Sequence, residues 1–166
     1  MTYPKLRLGI VGLGNMGSGH MMNILNGKVP NVELAAVCDI RPDRLNLAKE
    51  KAPHVPRFTE YSEMLTSGLC EAILIATPHY FHPPMAIAAF EAGLHVLTEK
   101  PAGVRVSDVM EMNDAADRSG KVFGIMFNQR TGELFQKARE LVQNGTLGTP
   151  RRLTWIITNW YRTDAN

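Results

Sequence analysis

The sequence has little of what marks disulfide-bonded or metal-binding proteins. Its 166 residues include two cysteines, Cys38 and Cys70, which are too few and too far apart for a disulfide framework or a zinc site. Both fall in apolar, strand-like runs, which predicts inert, buried thiols. His79 and His82 stand three residues apart, but no third ligand follows at helical or loop spacing, so no metal site is expected.

Charge of one sign and long apolar runs are also scarce. The 18 basic and 16 acidic residues are interspersed and give a formal net charge of +2, which offers no support for a nucleic-acid or membrane-surface partner. The apolar runs are of strand length and too short to cross a bilayer. The N-terminus does not resemble a signal segment. These features predict a cytoplasmic protein.

Short apolar runs alternate with helical patterns through most of the chain. Each run reads as a buried strand, because strands of a parallel sheet are covered on both faces. Alternation of this kind predicts an α/β fold, a doubly wound parallel sheet (Rossmann) with helices on both faces. The predicted strands are residues 6–11, 32–38, 57–58, 72–76, 93–98 and 122–127.

The pattern changes after residue 127. Leu134, Leu141 and Val142 mark an amphipathic helix, and residues 151–161 read as a long strand with apolar side chains on both faces. We therefore expect one α/β domain over residues 1–127 and the beginning of an incomplete α+β domain over residues 128–166. An unpaired strand at 151–161 would favour a homo-oligomer.

A glycine motif, Gly12-x-Gly14-x-x-Gly17, follows the first predicted strand and opens a helix predicted from Ser18. In such motifs the first glycine allows a tight turn, the second lets the backbone approach a pyrophosphate, and the third lets helix and strand pack closely. Asp39 ends the second strand, 22 residues after Gly17, where a carboxylate can accept hydrogen bonds from a ribose. The alternative is that Asp39 only caps a turn before the next helix.

Lys100 stands directly after Glu99 at the end of the predicted strand 93–98. Ligands of open α/β sheets bind outside the carboxyl ends of the strands. A solvated surface charge is the plainer interpretation of any lysine, but the position between an apolar strand and Pro101 favours a side chain held at a site. His79 and His82 either line the same cleft or face solvent.

Together these motifs resemble the N-terminal half of the Gfo/Idh/MocA oxidoreductase family, the group of glucose–fructose oxidoreductase and inositol dehydrogenase. The resemblance implies an NAD(P)-dependent dehydrogenase acting on a sugar, an inositol or a related polyol. It implies that Lys100 is catalytic, beside the nicotinamide and the substrate hydroxyl, and that the Lys100–Pro101 peptide is often cis. Motifs and resemblance together place the cofactor against Gly12, Gly14, Asn15, Met16, Gly17, Asp39, Ile40, Arg41, Thr77, Pro78, His79, His82, Glu99, Lys100 and Asn128.

NAD is expected in preference to NADP, because the Asp39 carboxylate would repel a 2′-phosphate. Arg41 weakens this expectation, since its guanidinium could pair with that phosphate. Family members are longer, and their second domain brings an Asp and a His that complete proton transfer. The resemblance therefore implies that residues 1–127 are the dinucleotide-binding Rossmann domain of such an enzyme and that residues 128–166 begin its substrate and dimerisation domain. A dinucleotide-binding sensor without turnover, or an NAD-dependent glycosidase of the same fold, are the alternatives.

Overall fold

A computed structural model of the chain describes residues 4–156. The chain divides into two compact units, with the boundary after Met126. The first unit contains the parallel sheet that the apolar runs predict. Its strands are β1 Leu6–Val11, β2 Val32–Cys38, β3 Arg57–Phe58, β4 Ala72–Ile75, β5 His95–Glu99 and β6 Phe123–Met126.

The sheet is parallel throughout, in the order β3-β2-β1-β4-β5-β6. Strands β2 and β3 extend the sheet from β1 toward one edge, and β4, β5 and β6 extend it from β1 toward the other edge. The order therefore reverses between β1 and β4, the place where ligands bind in doubly wound sheets. Both predictions, the fold class and the strand positions, are confirmed, with strand ends shifted by a few residues.

Five helices connect these strands. They are α1 Asn15–Leu25, α2 Pro42–Lys51, α3 Tyr61–Thr66, α4 His82–Glu91 and α5 Val106–Ser119. Pro42 occupies the first turn of α2, where its missing N–H costs nothing. Gly120 closes α5 with a φ of +64°, a left-handed conformation that favours glycine. None of the helices in residues 4–156 is long and apolar enough to cross a membrane.

Strand β4 shows how the core forms on both faces of the sheet. Ile73 and Ile75 belong to one apolar cluster and Ala72 and Leu74 to the other, because successive side chains of a strand point to opposite faces. All four residues of this strand are buried. A continuous apolar run is therefore the pattern that a central parallel strand requires.

The helix after the glycine motif starts earlier than the sequence predicts, at Asn15 instead of Ser18. Gly14 is its N-cap residue, so that Gly17 lies inside the first turn of the helix and not before it. The difference matters for function, because residues 15–17 then present the free N–H groups of a helix N-terminus.

The second unit contains α6 Asn128–Thr131 and α7 Glu133–Gln143, the latter matching the predicted amphipathic helix. The strand predicted over 151–161 is not seen in its described part, since residues 151–156 adopt no regular secondary structure. A strand is stabilised by hydrogen bonds to a neighbouring strand, and the described residues of this unit provide none. Residues 157–161 lie outside the described residues.

Candidate active site

The predicted site residues of the first unit follow the carboxyl ends of β1, β2, β4 and β5. The register aligns three of these ends, with Val11 opposite Ile75 and Ile75 opposite Thr98. Three segments therefore come to one edge of the sheet. They are the glycine loop after β1, the loop after β4, and Glu99–Lys100 at the end of β5. This edge includes the point at which the strand order reverses.

Gly12 fixes the start of the glycine loop. Its φ is +86°, and a Cβ built there would lie 2.7 Å from the carbonyl carbon and oxygen of Ala76. The amide of Gly12 donates to the Cys38 carbonyl. The loop after β1 is thus pressed against the loop after β4, at a distance that only glycine permits.

The other two motif glycines have opposite surroundings. A Cβ at Gly17 would overlap the carbonyl oxygen of Gly12, so this glycine lets the helix fold back closely onto the strand. A Cβ at Gly14 would have no neighbour within 4 Å, and no side chain caps the N-terminus of α1. The backbone at Gly14 faces open space beside free helical N–H groups, the arrangement that binds a pyrophosphate.

Asp39 braces the glycine loop as well as standing at the expected ribose position. Its Oδ2 accepts the Leu13 N–H at 2.6 Å, and its Oδ1 accepts the Arg41 N–H at 2.9 Å. Each carboxylate oxygen has a second lone pair, so these bonds leave room for a ribose hydroxyl. The alternative role of Asp39, that of a turn residue before α2, accounts only for its hydrogen bond with the Arg41 N–H and not for the one with the Leu13 N–H.

Arg41 is already paired. Its Nε and Nη2 donate to the two carboxylate oxygens of Asp43 at 3.1 and 2.8 Å, and the same hydrogen bonds hold the pKa of Asp43 below its ordinary value. Asp43 thus partly neutralises the guanidinium that could otherwise pair with a 2′-phosphate. Ile40, between Asp39 and Arg41, is 85% exposed, as a residue that contacts an adenosine would be.

His82 has a different position from the one expected. The side chain is fully buried, with Nδ1 2.8 Å from the Pro101 carbonyl oxygen and Nε2 2.8 Å from the Thr77 carbonyl oxygen. It has no surface for a direct cofactor contact and does not face solvent. Instead it joins the loop after β4 to the segment after β5, because each ring nitrogen lies within hydrogen-bond distance of a carbonyl oxygen.

The neighbours of His82 remain at the surface. Pro78 and His79 are exposed and Thr77 is half-buried, at the end of β4 next to the glycine loop. The rings of His79 and His82 meet edge to face at 5.7 Å between centroids. Thr77, Pro78 and His79 can therefore border a ligand at this edge.

Lys100 is exposed, whereas Glu99 before it is buried. The Glu99 carboxylate contacts His20 of α1, with 2.7 Å between Oε1 and Nε2, and its Oε2 accepts the Lys100 N–H at 3.2 Å. The Lys100–Pro101 peptide is cis, as the family resemblance implies. The backbone at Lys100 is thus held on both sides, by the Glu99 carboxylate and by the contact of His82 with the Pro101 carbonyl oxygen.

The sequence alone assigns no role to His20, which lies on α1 and contacts Glu99. The position of His20 depends on where the helix begins. Because α1 begins at Asn15, His20 lies in the second turn of the helix. Its partner Glu99 is 79 residues away in sequence. Asn128 lies in α6 of the second unit, so its expected role stays a prediction. In residues 4–156 no cluster of His, Cys, Asp or Glu could hold a metal ion.

The chain is similar to several known dehydrogenases. It is 31% identical over 148 residues to the myo-inositol 2-dehydrogenase of Thermotoga maritima, covering 89% of this chain and 44% of that protein. It is 32% identical over 148 residues to the D-glucoside 3-dehydrogenase of Escherichia coli, covering 89% and 42%. A structure of scyllo-inositol dehydrogenase from Lactobacillus casei with bound NAD(H) and scyllo-inositol matches with a TM-score of 0.82 and 28% identity, over 87% of this chain and 42% of that one.

The chain therefore spans less than half the length of these relatives. A model of the oxidoreductase family with an NAD-binding Rossmann fold, Gfo/Idh/MocA, matches residues 6–127. That range contains the whole sheet, the glycine loop, Asp39 and the Glu99–Lys100 segment. The open backbone at Gly14 and the free N-terminus of α1 fit the cofactor that this fold binds. The chain thus belongs to the Gfo/Idh/MocA oxidoreductase family, whose NAD-binding Rossmann domain it contains.

Proposed function

We propose that the protein is an NAD-dependent oxidoreductase that interconverts a CH–OH group and a carbonyl on a sugar, an inositol or a related polyol. The observation that supports this most directly is the position of Lys100. It is an exposed amine on a braced backbone, at the sheet edge that also carries the open glycine loop. Residues 128–166 would begin the substrate and dimerisation domain, which the remaining length of the relatives would complete.

Each group at the sheet edge has a task in this proposal. The N–H groups at Gly14, Asn15 and Met16 would hold the pyrophosphate, and Asp39 would hold the adenosine ribose. Thr77, Pro78 and His79 would border the dinucleotide. For Asn128, in the second unit, the family resemblance alone implies a role near the nicotinamide. When bound, NAD supplies the hydride acceptor.

Lys100 would act on the substrate oxygen. Oxidation of an alcohol removes a hydride from carbon and a proton from the hydroxyl, so negative charge develops on the oxygen as the hydride leaves. A Lys100 Nζ within hydrogen-bond distance would stabilise that oxygen and take part in the proton transfer. Water, or an acid/base group of the second domain, would then receive the proton.

The test is Lys100→Ala in a full-length protein that carries this chain. The expected result is a fall in kcat of about 10²- to 10⁴-fold, the contribution of a positioned acid/base group, with the affinity for NAD changed only a few-fold. Lys51→Ala, at the exposed end of α2, is the matched control. NAD-linked reduction is measured over a panel of sugars and inositols.

Two results would contradict the proposal. Full activity in the Lys100→Ala protein would reduce Lys100 to a surface charge. A wild-type protein that binds NADH but turns over no sugar or polyol would instead favour a dinucleotide-binding sensor.

The cofactor preference follows from the second strand. Two negative charges close together in a partly desolvated cleft repel each other, so the Asp39 carboxylate disfavours a 2′-phosphate. The pairing of Arg41 with Asp43 supports the same preference, because Asp43 neutralises part of the positive charge that could offset the repulsion. We therefore assign NAD and not NADP as the preferred cofactor.

We also infer that the whole protein is a cytoplasmic homo-oligomer that pairs through the segment 151–161. Leu153, Trp155 and Ile156 in this segment are 91%, 59% and 76% exposed, and apolar side chains grouped at the surface mark an interaction site. The free, buried Cys38 and Cys70 suit a reducing compartment. Light scattering on the chain and on a version lacking residues 146–166 tests the pairing. A deletion that leaves the oligomeric state unchanged would exclude it.

A further inference from the structure

Glu99 is a buried carboxylate to which the proposed reaction gives no task. Its side chain is 7% exposed, and a buried charge is tolerated only where it is paired and hydrogen-bonded. Its two oxygens have different partners: Oε1 lies 2.7 Å from His20 Nε2, and Oε2 accepts the Lys100 N–H at 3.2 Å. Because a carboxylate accepts, His20 Nε2 is the donor.

His20 lies on the helix that would bind the pyrophosphate. The free N–H groups of α1 are those of its first turn, beginning at Asn15, and His20 follows in the second turn. Residues this close in one helix move together, because the backbone hydrogen bonds of the helix connect them. A displacement of the N-terminus of α1 is therefore carried to His20, and through the 2.7 Å contact to Glu99.

We propose that His20 is a positioning residue that holds Glu99 and, through it, the backbone of Lys100, so that occupation of the pyrophosphate site is transmitted to Lys100. The proposal rests on the proposed function for the site at Gly14 and for the role of Lys100. It gives Glu99 the task of linking α1 to the end of β5.

The transmission can be tested by the NMR amide signals of the chain during titration with ADP. This probe has the pyrophosphate and lacks both the nicotinamide and its ribose, so it should not touch Lys100 directly. In the wild-type chain we expect the amides of Gly14 and Asn15 to shift by contact and the amide of Lys100 to shift through His20 and Glu99.

Three variants separate positioning from general stability. His20→Phe keeps a planar ring without the donor, and the Lys100 shift should fall by about tenfold while the Gly14 shift persists. His20→Gln restores a donor and should restore most of the Lys100 shift. His95→Gln is the matched control, because His95 bonds the Val122 amide at the opposite end of the same strand, and it should leave the Lys100 shift intact. A Lys100 shift that persists in His20→Phe overturns the proposal.

Hydrogen exchange without ligand supplies a second, independent measurement. Loss of the His20 contact should free Glu99 and speed exchange of the Lys100 amide by about tenfold, with the amides of Ile10 and Ile75 unchanged. Unchanged exchange at Lys100 in both His20→Phe and His20→Ala overturns the proposal. Absence of any Gly14 shift in the ADP titration, by contrast, contradicts the proposed cofactor site, and the exchange experiment still decides the role of His20.

Discussion

Gly17 and Gly19 lie two residues apart in α1, and their surroundings are opposite. A Cβ at Gly17 would come within 2.9 Å of the Gly12 carbonyl carbon and overlap its oxygen, whereas a Cβ at Gly19 would meet nothing within 4 Å. Addition of one methyl group at Gly17 therefore tests the close packing of the glycine loop. The same addition at Gly19 tests only helix propensity.

We expect Gly17→Ala to destabilise the protein by about 1–3 kcal/mol, the usual cost of overpacking, and to weaken NADH binding. Gly19→Ala should instead stabilise it by about 0.5–1 kcal/mol, because glycine is unfavourable within a helix. Thermal unfolding and NADH fluorescence titration measure the two effects. Equal behaviour of the two variants would show that the loop has room for a side chain at Gly17.

The Arg41–Asp43 pair gives a second test at the residue scale. Asp43→Ala should release the guanidinium to meet a 2′-phosphate, raising NADP affinity a few-fold while NAD affinity stays constant. Asp108→Ala is the matched control, since Asp108 is likewise the acidic residue in the first turn of its helix, α5. Titration of both cofactors against all three proteins measures the effect, and an unchanged NADP affinity would place Arg41 away from the ribose.

At the element scale, local pattern and long-range contact explain what sequence could and could not predict. The run Ala72–Ile75 could be predicted as a buried strand from its own composition, because four consecutive apolar residues in a strand place apolar side chains on both faces of the sheet. The glycine spacing likewise predicted a turn that the φ of Gly12 confirms. By contrast, the bond from Leu13 to Asp39 and the contact of His20 with Glu99 join residues 26 and 79 positions apart. Such pairs depend on the register of strands, which no local pattern encodes.

Helices α3 and α4 offer a prediction at this scale, because one buried hydroxyl connects them. The Tyr61 hydroxyl donates to the Met85 carbonyl oxygen at 2.9 Å, and burial raises the pKa of Tyr61. Tyr61→Phe should cost about 0.5–1.5 kcal/mol, the net contribution of one hydrogen bond. Tyr80→Phe, at a side chain that is 73% exposed, should cost nothing measurable. Urea denaturation of the two variants compares them, and equal midpoints would remove the hydrogen bond from the account of stability.

At the scale of the whole molecule, the two buried thiols make stability depend on pH. Burial raises the pKa of Cys38 from 9.0 to about 12 and that of Cys70 from 9.0 to about 11. Above pH 9 each thiol ionises in the unfolded chain before it ionises in the native one, so the native state retains more protons. The free energy of unfolding therefore falls as pH rises through this window.

The expected slope approaches about 1.4 kcal/mol per pH unit for each thiol. Well below pH 9 both thiols are protonated in either state and their contribution is constant. Urea unfolding between pH 8 and 10 of the wild-type chain and of a Cys38→Ala, Cys70→Ala double variant isolates the effect. The double variant should show a shallower decline, and parallel curves would mean that the thiols ionise in the folded protein.

The double engagement of Asp39 limits how cofactor preference can change in evolution or by design. The residue that would exclude a 2′-phosphate also ties the Leu13 amide and the Arg41 amide to the end of β2. A substitution that removes its charge also removes the support of the glycine loop, so a single step toward NADP would lose affinity for both cofactors. The neighbouring pair of Arg41 and Asp43 offers a route without that loss, because the hydrogen bonds that Asp43 accepts from Arg41 come from its side chain and not from the glycine loop. Variants that recruit NADP should therefore begin at Asp43, with Asp39 replaced only after another group supports the loop.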